Sequence, residues 1–196
     1  MKKIFSAVIL TLITVLLLAG CNKEKIETNM SETVADFEFT TQDGETLSLD
    51  DLKGDYWLTD FIFTNCETVC LPMTSNMKEL QDKLKEEDID FQLVSFSVDP
   101  DYDTPEVLRE YAEEYGADTD SWTFLTGYDF ETIEELSIKS FRNLVAPAPE
   151  GDDQVTHGTG FFLVNPEGEI IKKYDGVDSG GIDYIFRDLK KVKEEE

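Results

Sequence analysis

The 196-residue sequence has few basic residues, a single histidine and only three cysteines. Its 17 lysines and arginines stand against 43 aspartates and glutamates, so the formal net charge is −26. Such a chain repels phosphate backbones and anionic lipid headgroups, which excludes nucleic-acid binding and a basic membrane patch. The sequence also lacks a glycine-rich phosphate loop, a nucleotide fingerprint and an internal repeat. Solubility explains most of the acid excess, and attraction of a basic partner is the alternative.

One long apolar run is present, at the N-terminus. Two lysines precede the apolar segment 4–18, and residues 18–21 (LAGC) end in a cysteine. This arrangement is typical of a secretory signal, so residues 1–20 are predicted to be removed. The LAGC ending resembles the lipobox of bacterial lipoproteins, which implies that Cys21 is lipidated and anchors the chain to the extracytoplasmic face of the cell membrane. Ordinary secretion without a lipid is the alternative.

The remaining chain divides into a tether and one domain. Residues 21–34 contain the lipidated N-terminus and a polar segment without periodicity, which predicts a flexible tether. Residues 35–193 alternate strand and helix patterns, and residues 194–196 are predicted to be a frayed acidic tail. The alternation predicts an α/β domain with a central mixed β-sheet flanked by helices, which begins with a β-hairpin around Asp43-Gly44. Nothing in the sequence indicates an obligate dimer, so we expect a monomer.

Hydrophobic periodicity predicts where the later elements lie. Apolar runs of strand length predict strands at residues 56–63, 91–98, 122–126, 159–164 and 169–174. Helical spacing predicts helices at residues 73–87, 104–115, 130–141 and 181–193. The segment 146–156 is rich in proline, glycine and acidic residues, and it is predicted to be a loop.

Cys66 and Cys70 follow the predicted strand 56–63 and precede a helix. Backbone N–H groups and the positive end of the helix dipole face such a junction, which predicts lowered thiol pKa values. Three residues separate the two cysteines, where thioredoxin-type redox sites have two. Positions four apart on a helix have Cβ atoms roughly 5–6 Å apart, and a disulfide needs about 3.8 Å. The spacing therefore favours a metal between the sulfurs, although a loop that departs from helix still permits a disulfide.

His157 offers a third ligand, just before the predicted strand 159–164. Two thiolates and one imidazole form a soft donor set that suits copper. A structural zinc site normally has four such ligands. Two alternatives stay open: a plain structural disulfide between Cys66 and Cys70, and a histidine that is only a packed or surface residue.

Three segments, in order, resemble the signatures of the Sco/SenC family. They are residues 63–73 (FTNCETVCLPM), residues 97–105 (SVDPDYDTP), and residues 157–168, where the histidine is followed by a strand and an Asn-Pro-Glu-Gly turn. The resemblance extends over about residues 35–190, which is nearly the whole domain. It implies a thioredoxin-like fold and a role in maturing the binuclear copper centre of cytochrome c oxidase.

The resemblance also implies a ligand set and a partner. Copper, as Cu(I) or Cu(II), would be held by Cys66, Cys70 and His157, and the partner would be the copper-centre subunit of cytochrome c oxidase. We expect a metallochaperone rather than an enzyme. The alternative is a thiol–disulfide oxidoreductase that uses Cys66 and Cys70 as a redox pair on the cysteines of the oxidase copper site or of another envelope protein.

The sequence departs from the family pattern beside the predicted ligands. Leu71 stands where many members have proline, and Thr156 and Gly158 flank the histidine where many have aspartate and serine. These changes alter contacts that orient the ligands without removing any ligand. Asp99 is interpreted mainly as a turn residue, with a contact to a metal ligand as the alternative.

Overall fold

The computed structural model describes residues 26–66 and 70–194 of the chain. The predicted signal segment, the lipidation site Cys21 and the last two residues of the predicted tail lie outside the described residues. Within the described residues, the elements are β1 (Glu32–Thr33), β2 (Glu38–Thr41), β3 (Thr46–Ser48), α1 (Leu49–Leu52), β4 (Trp57–Ile62), α2 (Cys70–Glu86), β5 (Gln92–Ser97), α3 (Pro105–Tyr115), β6 (Trp122–Thr126), α4 (Phe130–Phe141), β7 (Val145–Ala146), β8 (Thr156–His157), β9 (Gly160–Val164), β10 (Glu169–Asp175) and α5 (Ile182–Lys193).

A mixed eight-stranded sheet forms the centre of the described chain, in the order β1-β10-β9-β4-β5-β6-β2-β3. Strands β4, β5 and β6 are parallel, and β9 and β2 pair antiparallel to the two outer members of this trio. Parallel strands need crossover connections, and helices α2 and α3 supply them. The carboxyl ends of β4 and β5 therefore lie side by side, and the loops that follow them are neighbours.

The core is aromatic and lies on the sheet. Phe61 of β4 stacks on Phe96 of β5 with ring centroids 5.4 Å apart, and the ring of Phe141 from α4 meets Phe61 edge-on at 5.1 Å. All three side chains are fully buried. Such aromatic contacts add to the free energy of burial and fix how α4 packs on the sheet.

The predicted α/β architecture is confirmed. The hairpin is formed by β2 and β3, and every predicted strand and helix is present. The predicted helix 130–141 coincides with α4, and Thr104 and Gly116 cap α3 at its two ends. Helix α2 begins earlier than predicted, at Cys70. Each described helix is too short or too polar to span a bilayer.

Two predictions need correction. The predicted tether reaches into the fold, because β1 pairs with β10, Val34 is buried and the Asn29 side chain bonds the backbone of Lys173. The domain therefore begins before the predicted residue 35. Strand β1 is held by backbone pairing, and its polar side chains show no hydrophobic alternation. For this reason the sequence pattern did not indicate a strand at this position.

The second correction concerns the predicted loop 146–156. Both of its ends belong to a small antiparallel ladder in which Val145 pairs with His157 and Ala146 with Thr156. Two-residue strands lack a readable period, so the sequence did not reveal them. The ladder matters for the site because it holds the histidine.

Candidate metal centre

Cys66, Cys70 and His157 come together beyond the carboxyl end of β4. One ligand atom from each residue lies within 4.8 Å of the other two. The Nε2 atom of His157 is 3.0 Å from Sγ of Cys70, and the backbone N–H of Cys70 donates to Sγ of Cys66 at 3.4 Å. All three residues are buried. In the described chain the two sulfurs are not joined in a disulfide.

The imidazole of His157 is oriented by its own strand. Its Nδ1 atom lies 3.0 Å from the carbonyl oxygen of Gly158. A carbonyl oxygen only accepts hydrogen bonds, so Nδ1 carries the proton in this contact. The neutral ring then presents the lone pair of Nε2 toward Cys70, which is the tautomer that a metal ligand needs. The ring of Phe63 packs edge-on against the imidazole at 5.7 Å and limits its rotation.

The expected lowering of the thiol pKa is wrong for Cys70. Its pKa is raised, first by a hydrogen bond with Cys66 and then by burial, and the negative charge of Asp60 adds to the effect. These effects outweigh the helix N-terminus because the sulfur of Cys70, the first residue of α2, is enclosed by protein. Binding a cation would supply the opposite charge that a buried thiolate lacks.

Asp103 ties the cysteine loop to the neighbouring turn. Its buried carboxylate accepts hydrogen bonds from the hydroxyl of Thr64 at 2.5 Å, the backbone N–H of Thr64 at 3.3 Å and the hydroxyl of Ser97 at 2.6 Å. Burial raises the pKa of Asp103 to about 6, although these bonds oppose the rise. Thr64 lies two residues before Cys66, so this carboxylate fixes where the loop leaves β4.

Asp60 is a second buried carboxyl group behind the site. It lies within β4 and is fully buried. Oδ1 accepts a hydrogen bond from the Ser95 hydroxyl at 2.6 Å, and Oδ2 has no hydrogen-bond partner in the described chain. Burial raises its pKa to about 7, and the hydrogen bond from Ser95 partly offsets the rise. The sequence carried a signal for it, because an aspartate interrupts an otherwise apolar strand.

The acidic loop between β7 and β8 lies over the cysteine loop. The side chain of Asn65 donates to Asp153 at 2.9 Å, and the side chain of Gln154 donates to the backbone carbonyl of Asn65 at 3.0 Å. Both bonds fasten this loop beside Cys66. The loop thus leads into β8, which holds His157, and its middle is fastened to the residue before Cys66.

The remaining predicted residues have structural positions. Asp99 lies in the turn after β5, where its backbone carbonyl accepts from the N–H groups of Tyr102 and Asp103. Asp103, and not Asp99, is the acid of this turn that contacts the cysteine loop. Met73 and Met77 are fully buried in the core, as their helical spacing indicates.

Comparison with known proteins agrees with this geometry. The chain matches the SCO1/SenC family over residues 25–194. It is 48% identical over 175 residues to the SCO1 protein homolog of Bacillus subtilis, with 89% of this chain and 90% of the relative covered.

Solved structures with the same fold include three informative neighbours. A SCO1/SenC family lipoprotein from Bacillus anthracis is 45% identical, with a TM-score of 0.78 and coverage of 82% of this chain and 95% of the neighbour. BsSco, described as a member of the Sco family of cytochrome c oxidase assembly proteins with a disulfide switch, is 47% identical, with a TM-score of 0.79 and coverage of 87% and 99%. Arabidopsis thaliana ScoI with copper bound is 25% identical, with a TM-score of 0.67 and coverage of 83% and 99%. The predicted thioredoxin-like fold is confirmed by these neighbours.

Proposed function

The chain belongs to the SCO1/SenC family, and on that premise we propose that it is a copper-binding protein of cytochrome c oxidase assembly. In this proposal it carries copper as cargo on Cys66, Cys70 and His157 and delivers it to the subunit that holds the binuclear copper centre. The observation that carries the proposal is the close grouping of three soft donor atoms, within 4.8 Å of one another.

The chemistry of this donor set fits copper. Thiolate sulfur and imidazole nitrogen are soft ligands that bind Cu(I) well. The proton on Nδ1 of His157 is held by the carbonyl of Gly158, so Nε2 is available without a change of tautomer. Both thiols must lose their protons when the metal binds, so we expect copper binding to release protons. Three ligands leave part of the copper coordination open, which suits a protein that must pass the ion on.

The relatives support this proposal through what has been described for them. ScoI from Arabidopsis thaliana holds copper, and BsSco belongs to a family of oxidase assembly proteins. The predicted lipid anchor on Cys21 and the extracytoplasmic location at the cell membrane remain part of the proposal. They are supported by the signal pattern of residues 1–21 and by the description of the Bacillus anthracis neighbour as a lipoprotein.

A second function is favoured by one observation, the proximity of the two sulfurs. The two sulfurs lie within 4.8 Å of each other, so a shift of the cysteine loop would bring them to the bond length of a disulfide. A thiol–disulfide oxidoreductase would use only the two sulfurs, whereas copper binding uses His157 as well. The histidine therefore separates the two functions.

The test is an anaerobic titration of the reduced domain, residues 22–196, with Cu(I) and Cu(II). Competition with a chelator measures the affinity for Cu(I), and thiolate-to-copper charge-transfer absorption reports Cu(II). We expect one copper per chain, and we expect His157→Ala to weaken binding more than about 100-fold, beyond the usual effect of changing a residue that only supports a ligand. Leu144→Ala, an exposed change beside the same ladder, is the matched control and should leave the affinity unchanged.

Equal copper affinity in the wild type and in His157→Ala would contradict the proposed ligand set. If the same variant also kept its activity on a disulfide substrate, the oxidoreductase function would be the better account. Loss of copper binding with retained thiol exchange would support copper carriage by this site.

A further inference from the structure

Exposed apolar side chains are concentrated around the metal centre. Among the described residues, five large apolar side chains are at least 41% exposed, and three of them belong to segments at the site, namely the start of α2 and two loops. These three are Leu71, Tyr102 and Leu144, with exposed fractions of 50%, 54% and 58%. The other two, Ile138 and Tyr184, lie on the outer faces of α4 and α5.

Each of the three is tied to a predicted ligand or to its loop. Leu71 follows Cys70 directly in the chain. The carbonyl of Leu144 accepts a hydrogen bond at 2.8 Å from the N–H of Gly158, the residue after the histidine. Tyr102 precedes Asp103, whose carboxylate holds the cysteine loop. The three exposed side chains therefore belong to three segments that contact the ligands or their loop: the start of α2, the turn after β5 and the residues between α4 and β7.

Acidic side chains lie in the same region. Asp101 is exposed in the turn with Tyr102, and Glu150, Asp152 and Asp153 are exposed in the loop between β7 and β8, which the bond from Asn65 to Asp153 fastens beside Cys66. The pKa of Asp99 is raised, mainly by burial but also by the charges of Asp101 and Asp153, which come from different loops. We call these four exposed acids the acidic rim.

Building on the proposed function, we propose that Leu71, Tyr102 and Leu144 form an apolar docking face, framed by the acidic rim, for the copper-accepting domain of the partner. The partner domain would carry an apolar patch framed by lysine and arginine side chains. An apolar centre with a charged border is the usual anatomy of a transient protein interface, and opposite charge on the partner speeds association.

Charge argues against two other occupants. A second copy of this chain would bring a second acidic rim against the first, and like charges facing each other disfavour that contact. An anionic membrane surface would be repelled in the same way. A cationic protein surface is the occupant that complements both the apolar residues and the acids.

The test measures binding between the full chain, in a non-ionic detergent, and the domain of the oxidase subunit that holds the copper centre. That domain is used in its reduced form and without copper. The dissociation constant and the association rate are measured at low and high ionic strength, with the full chain both copper-free and loaded with Cu(I). Leu144→Ser is compared with Ile138→Ser, which removes an equally large exposed side chain from the outer face of α4. The double variant Asp101→Asn, Glu150→Gln removes two charges of the acidic rim. Its control is the double variant Glu86→Gln, Asp90→Asn, which removes two negative charges at the opposite end of the parallel strands.

We expect Leu144→Ser to raise the dissociation constant about five- to tenfold, as loss of an apolar anchor does, and Ile138→Ser to leave it within about twofold. The double variant at the acidic rim should associate about threefold more slowly at low salt, and its association rate should depend less on salt, since charges at an interface border act mainly on the association rate. The control double variant at the opposite end of the strands should change the association rate much less.

Equal effects of the site variants and their matched controls would overturn the docking face while leaving copper carriage intact. Self-association of the full chain that Leu144→Ser abolishes would assign the face to a second copy and would also overturn the proposal. Failure of the wild-type chain to bind copper would instead contradict the proposed function, and the copper-free binding measurements would still decide the docking face.

Discussion

Replacing the buried carboxyl group of Asp60 by an amide should change how stability depends on pH. The pKa of Asp60 is raised from 3.8 to about 7 because the group is fully buried in β4. The folded chain therefore binds this proton more tightly than the unfolded chain. Because the folded chain binds the proton more tightly, protonation of Asp60 adds to the unfolding free energy. This contribution is complete below about pH 4 and is lost as pH rises through about 7.

The magnitude follows from the size of the shift. A pKa that rises from 3.8 to about 7 corresponds to about 4 kcal/mol of unfolding free energy across the full pH range, and to about 3 kcal/mol between pH 5 and pH 8. In Asp60→Asn, the amide oxygen can still accept the hydrogen bond from Ser95, and no charge has to be buried. The variant should thus gain stability over the wild type as pH rises, by about 3 kcal/mol over that interval.

The assay is denaturant unfolding of the reduced, metal-free domain, residues 22–196, at several pH values from 5 to 8. The difference between wild type and variant is the quantity of interest, because acidic groups common to both cancel. Asp90→Asn, at an exposed position, is the control for loss of one negative charge. A difference between wild type and Asp60→Asn that stays constant with pH would refute the reasoning, because Asp60 would then be ionised throughout the interval.

Three further substitutions test contacts around the site and in the core. Asp103→Ala leaves the half-buried hydroxyl and N–H of Thr64 and the buried hydroxyl of Ser97 without their acceptor, so unfolding free energy should fall by about 2–3 kcal/mol and copper affinity should fall with it; unchanged denaturant midpoints would contradict this. Gly158→Ala places a Cβ 2.0 Å from Oδ1 of Asn143, so stability should fall by about 1–3 kcal/mol; adding Asn143→Ala should recover part of the loss, and strictly additive effects would argue against the clash. Asp188→Ala strips the buried lysine of β10 of its 2.7 Å carboxylate partner, and thermal or denaturant unfolding should show a loss of about 3–5 kcal/mol; a loss below about 1 kcal/mol would mean that water reaches the lysine.

Local signals in the sequence were sufficient for most of the fold. Thr104 and Gly116 delimit α3 because their side-chain and backbone preferences act within one turn of the helix. The apolar run around β4 identified a central strand, because a strand buried on both faces needs apolar residues at successive positions. Elements of two residues, such as β1 and β8, escaped detection because they are too short to show a hydrophobic period.

The candidate ligands could also be named from the sequence, because soft donors are rare in this chain. Only the tertiary structure placed Nε2 of His157 3.0 Å from Sγ of Cys70, across 87 residues of chain. It also reversed the predicted direction of the Cys70 pKa shift, since burial and the neighbouring sulfur and carboxyl are consequences of packing. Residue type and spacing determine which chemistry a chain can offer, whereas distance, enclosure and neighbouring charge arise only when remote segments meet.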